Sequence, residues 1–142
     1  MWADTLFAAE RAHLVRLLVW GAASVLAGTG LLAWLRWRRH LSPLLEQFAA
    51  LTAGWGATDV VIGLLAFRAL SPRDLAGATR LDRLLWLYTG LDAGYVLVGL
   101  TLVVVGWRIG RRPRMLGTGT AVVVQGGALL LMHLLLAAHI SR

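Results

Sequence analysis

Asp59, Asp92 and His133 are the residues of this chain whose types and spacing could do chemistry. Each sits well inside a long apolar run. Asp59 lies nine residues before Arg68, Asp92 nine residues after Arg83, and His133 nine residues before Arg142. Nine residues of helix rise about 13–14 Å, so the three groups fall at roughly one depth below one membrane face. Two acids and an imidazole at one level could relay a proton, coordinate an ion, or anchor a polar headgroup. They could also form hydrogen bonds that fix helix register, which is the simplest role. An ionisable group in hydrocarbon costs several kcal/mol unless it faces inward and finds a partner. The helical stripes fit inward placement. Tyr88, Asp92, Tyr95 and Gly99 share one face, as do Thr52, Gly56, Asp59 and Gly63. Trp20, Ser24 and Gly28 form a third stripe, with Ser24 close to the same level, and Gln125 lies deeper in the last span. The expected intramembrane polar layer, or ligand-binding set, is therefore Ser24, Asp59, Asp92, Tyr95, Gln125 and His133. Trp20, Trp55, Trp86, Tyr88 and Tyr95 are candidate walls for a small lipophilic molecule.

The elements that must carry these groups follow from composition. Of 142 residues, 58% are hydrophobic and only 15% charged, with a mean hydropathy of +0.71. A soluble domain is usually about 45–50% apolar. The apolar runs exceed the roughly 18 residues that suggest a spanning helix. The expected fold class is all-α, a four-helix up-down transmembrane bundle in one domain, with spans at about 12–35, 43–70, 84–107 and 115–140. An amphipathic turn from Thr5 extends the first span, and a short helical lead over about 73–83 enters the third. Ser42 with Pro43 predicts a capped helix start. LSPRD at 70–74 predicts another, with Ser71 as cap, Pro72 in the first position and Asp74 completing a capping box. GAASVLAG (21–28) and DAGYVLVG (92–99) share A-x-x-V-L-x-G, and arginine-rich turns follow both before Pro43 and Pro113. A duplicated helical hairpin explains both matches.

All 14 basic residues are arginine, and the net charge is +7. The arginines cluster at the ends of apolar runs, where topology places them, so nucleic acid is not an expected partner. Trp34, Trp37 and Trp107 beside those clusters fit an interfacial belt. The arginines divide seven against seven between the two faces. The short, acid-free first and third loops are denser in charge, which places them on the cytoplasmic side. The first run is too long for a signal-peptide core and reads as a retained span. With no cysteine, disulfides and thiolate metal sites are excluded. No cofactor and no metal site is expected. The histidines give no facing pair for haem, there is no sequence-local ligand pair for a metal, and GTGT at 117–120 lacks the lysine of a phosphate loop.

EQF (46–48), WGATDVVIG (55–63), LDAGYVLVG (91–99) and VVVQGGALLL (122–131), in that order and spacing, resemble a family of small bacterial four-span membrane proteins of unknown function. The likeness covers about residues 43–140, and the first span carries little of it. The resemblance implies a polar residue, often asparagine, where Asp59 stands, and an acid where His133 stands. It implies no substrate, cofactor or partner. The expected function is non-enzymatic: a membrane scaffold, an accessory subunit or a lipophile-binding module. A proton- or ion-coupled carrier or channel using the Asp/His layer is the alternative. Membrane lipids are the expected surroundings, and a homo-oligomer, a larger membrane complex or a small lipophilic ligand are the expected partners. The expected location is the bacterial inner membrane.

Overall fold

The computed structural model describes residues 2–140, apart from the side chain of Trp2; Arg142, from which the depth of His133 was counted, lies outside the described residues. The described residues form four helices: α1 (Trp2–Trp37), α2 (Pro43–Arg68), α3 (Leu75–Arg108) and α4 (Pro113–Ile140). They contain 36, 26, 34 and 28 residues, and about 20 suffice to cross a bilayer. All four are long and apolar enough to do so. The fold is an all-α multi-pass membrane bundle. Its outer surface is apolar, as a lipid solvent requires: Leu26, Val61, Leu97 and Leu131, one from each helix, are all more than half exposed.

Local chemistry sets the helix ends. Ser42 caps α2, accepting from the Leu45 N–H at 3.4 Å, and Pro43 takes the first position, where its missing N–H costs nothing. The start of α3 differs from expectation. Asp74 is itself the cap, with its side chain accepting from the Gly77 N–H at 2.7 Å, and the helix begins at Leu75. Ser71 and Pro72 remain in the connection. A carboxylate at the cap is the stronger acceptor for the free N–H groups and favours the positive end of the helix dipole. This later start also leaves Arg73 free to turn toward α1. The two other turns resemble each other. Arg39 takes a left-handed conformation at φ 49°, and the His40 N–H reaches back to the Leu35 carbonyl at 3.0 Å. Gly110 and Arg111 do likewise at φ 72° and 48°, and the Arg112 N–H bonds the Gly106 carbonyl at 2.8 Å. Carbonyls that α1 and α3 leave open are satisfied in this way.

Two antiparallel hairpins, α1/α2 and α3/α4, make up the molecule, and glycine lets each close tightly. A Cβ placed on Gly28 would stand 2.5 Å from the Ala49 carbonyl oxygen, and one on Gly99 2.8 Å from the Gly119 carbonyl oxygen. Gly28 and Gly99 are the matched last positions of the internal repeat. Association of helices in lipid depends on such close approach, because the solvent supplies no hydrophobic drive between them. The hairpins meet through α4, which packs on both α2 and α1. Among the described residues no Cα of α3 comes within 8 Å of one in α1 or α2. The second and third helices, consecutive in the chain, therefore stand apart.

Candidate functional site

The gap between α2 and α3 is the centre of the site. It encloses a cavity of about 460 Å³ that reaches from the α2–α3 connection to the middle of the bundle. α1 and α4 close its back through Leu14, Leu17, Leu129 and Leu136. Its front is the slot between the separated helices, edged by the exposed Thr58 and Ile62 of α2 and Tyr88 and Leu91 of α3. On α2, the lining from Trp55 to Ala66 rises about 16 Å.

Three carboxyl groups face this space. The first, Glu10 of α1, is buried at 6% exposure and accepts a fork from Arg73. Arg73 Nε donates at 2.9 and 3.1 Å to its two oxygens, and the terminal guanidinium nitrogen donates to Oε1. Bidentate pairing of this kind is strong and directional. It ties the α2–α3 connection to α1 at the rim of the cavity, and Glu10 holds the guanidinium pKa above its ordinary value, so Arg73 stays charged. The second, Asp92 of α3, lies 2.6 Å from Nδ1 of His133 on α4. The Tyr88 ring stacks on His133 at 5.5 Å, and the His13 ring lies 5.2 Å from it. The third, Asp59 of α2, is 4% exposed, and its Oδ2 has no hydrogen-bond partner among the described residues. The cavity ends at Trp55 and Tyr95, which meet edge to face at 5.6 Å across the α2–α3 gap.

Asp59, Asp92, Tyr95 and His133 thus line one cavity. Ser24 and Gln125 do not. Ser24 is buried where α1 crosses α2: a Cβ on Gly56 would stand 2.6 Å from its own Cβ. Gln125 accepts from Trp20 Nε1 at 2.7 Å and faces a smaller hollow behind Trp55 and Tyr95. Of the expected aromatic walls, Trp55, Tyr88 and Tyr95 line the cavity. Trp20 is engaged with Gln125, and Trp86 is 59% exposed on the outer face of α3. Glu10, His13 and Arg73 belong to the site and were not among the expected residues. His13 reads from sequence as an interfacial histidine. It is in fact 6% exposed, because α4 packs against it, with the His133 ring 5.2 Å from its own. The available signal was the i, i+3 spacing of Glu10 and His13, one helical face. At the opposite end of the molecule the hairpin turns repeat a second contact: Arg38 lies over the Trp37 ring at 5.7 Å and Arg111 over the Trp107 ring at 5.5 Å.

A bundle of membrane-spanning length with a polar hollow in its apolar body defines a multi-pass membrane protein built around an internal site. The chain belongs to a family of unknown function, DUF6992, whose pattern matches residues 16–134. The match begins within α1, so the first span carries more of the family likeness than the motif runs indicate. No curated protein and no solved structure matches the chain.

Proposed function

We propose that this chain is a single-domain, non-enzymatic membrane protein that holds a small amphiphilic molecule between α2 and α3. The cavity itself is the observation that supports this reading most. About 460 Å³ lies within the roughly 300–1,000 Å³ usual for ligand sites, and a few convergent polar groups in an apolar wall are their usual chemistry. A network serving register alone would close around its polar atoms. Asp92 and His133 do so; Asp59 does not. An accessory-subunit role is compatible with the same site, since a captured molecule can be handed to a larger membrane assembly. The proposed location is a bacterial inner membrane, and the arginine density of the two hairpin turns supports a cytoplasmic position for them.

The test is native mass spectrometry of protein taken from its membrane directly into nanodiscs. A small bound molecule is expected on the wild type and should be lost from Ala66→Trp, which fills the cavity from its half-buried α2 wall. Wild-type protein without any such adduct would overturn the proposal. A proton- or ion-coupled carrier is the second reading, favoured by the Asp92–His133 bond with the His13 and Tyr88 rings beside it. Saturable proton-linked flux in proteoliposomes, abolished by Asp92→Asn in a folded protein, would establish the carrier. Absence of flux in the wild type would eliminate it.

A further inference from the structure

We infer that the molecule held in the cavity is a hydrophobic amine, whose ammonium N–H donates to Asp59 while its apolar body occupies the space between α2 and α3. The inference rests on the cavity reading above and specifies the headgroup. It starts from the pairing of the three acids. Glu10 is held by Arg73 and Asp92 by His133. Asp59 is the acid left over: it is buried, lines the cavity, and has Oδ2 without a partner. Among the described residues it forms no ion pair, either with His13 across the cavity or with the committed Arg73. A buried acceptor left unmade is costly, and a buried charge costs far more unless it is paired. A cation with an N–H removes both costs.

The neighbourhood selects further. A neutral alcohol could also donate to Asp59, but it would leave the carboxylate charge uncompensated. An anion would meet three carboxyl groups, and Arg73 and His133, the partners of two of them, are already engaged. The remaining surfaces near Asp59 suit an ammonium. Trp55 and Tyr95 present ring faces and edges at the closed end of the cavity, and Tyr88 stands at the slot. Aromatic faces attract a desolvated cation by roughly as much as a good hydrogen bond. Thr58, whose hydroxyl donates to the Gly54 carbonyl at 3.1 Å, keeps an acceptor lone pair at the mouth. Between this polar floor and the Glu10–Arg73 rim, Leu14, Leu17, Ile62, Leu81 and Leu85 supply apolar wall that fits an alicyclic or aromatic body. The slot between α2 and α3 faces the acyl chains, so such a molecule reaches the cavity from the bilayer.

The experiment compares three molecules with one body and different heads: 1-aminoadamantane, 1-adamantanol and adamantane-1-carboxylate. Each is titrated against wild-type protein in nanodiscs, with empty nanodiscs subtracted. The amine is expected to bind saturably and at least about tenfold tighter than the alcohol, the step a charge-assisted bond supplies. The carboxylate is expected not to bind. Asp59→Asn should bring the amine down to the alcohol's affinity and leave the alcohol unchanged. Equal binding of amine and alcohol by the wild type overturns the inference, as does an amine preference that survives in folded Asp59→Asn. The wild-type comparison needs no variant, so it decides the matter even if Asp59→Asn fails to fold. Saturable binding of none of the three also overturns the amine. In that case the native adduct, present or absent, decides separately whether the cavity reading stands.

Discussion

Asp92 and His133 hold each other at 2.6 Å, while Oδ2 of Asp59 on the facing wall has no partner among the described residues. That asymmetry was not legible in the sequence, although its ingredients were. The i, i+4, i+7 spacing of Tyr88, Asp92 and Tyr95 marks one stripe of a helix, and all three residues line the cavity. Counting from flanking arginines gives depth but not azimuth across helices. It groups Ser24 with the acids, whereas the folded chain turns Ser24 into the α1–α2 crossing and commits Gln125 to Trp20. The Glu10–Arg73 fork joins positions 63 apart in sequence, and no local pattern announces it. Because Glu10 is buried, Arg73→Ala leaves a carboxylate without its donors. Stability in detergent should fall by about 1–3 kcal/mol, toward the lower value because the Arg73 side chain is one-third exposed and solvent-screened. Removing Glu10 as well, in Glu10→Ala/Arg73→Ala, should cost less than the sum of the single changes. Chemical denaturation of the four proteins of this double-mutant cycle measures the difference.

Helices, unlike side-chain partners, were readable from the chain. Four apolar runs broken by Arg, Pro and Gly yield four helices, and Pro43 starts one for the reason sequence chemistry gives. The α3 start was misread because two capping residues compete within LSPRD, and only the packed structure shows Asp74 as the winner. The repeated A-x-x-V-L-x-G acquires physical content at Gly28 and Gly99, each of which lets a neighbouring backbone lie against its own. Gly28→Val or Gly99→Val should each destabilise the protein by about 1–3 kcal/mol, because well-packed neighbours must move. Gly90→Ala, with nothing within 4 Å of an added Cβ, should be neutral or stabilise by up to about 1 kcal/mol through helix propensity. Thermal unfolding in detergent distinguishes the two classes of site.

For the molecule as a whole, alternating helices place both arginine-rich turns at one end and the α2–α3 connection at the other. The chain has no cysteine, so single thiols report topology cleanly. His40→Cys and Arg112→Cys should react with an impermeant maleimide from the same side of sealed vesicles, and Ser71→Cys only from the opposite side. Labelling of all three from one side would refute four crossings. The separation of α2 from α3 could not be foreseen, because composition marks which faces are small, not which faces choose each other. It has a practical result. Among the described residues α3 lies backbone-close to α4 alone and touches α2 at the Trp55–Tyr95 ring pair, so beyond that pair α2 and α3 stand like a jamb and its door leaf, and the doorway gives onto hydrocarbon. Supply to such a site is governed by partitioning between water and lipid. Apparent affinity reckoned from bulk aqueous dose should therefore climb across a homologous series with each added methylene, even where the contacts made inside the doorway stay the same.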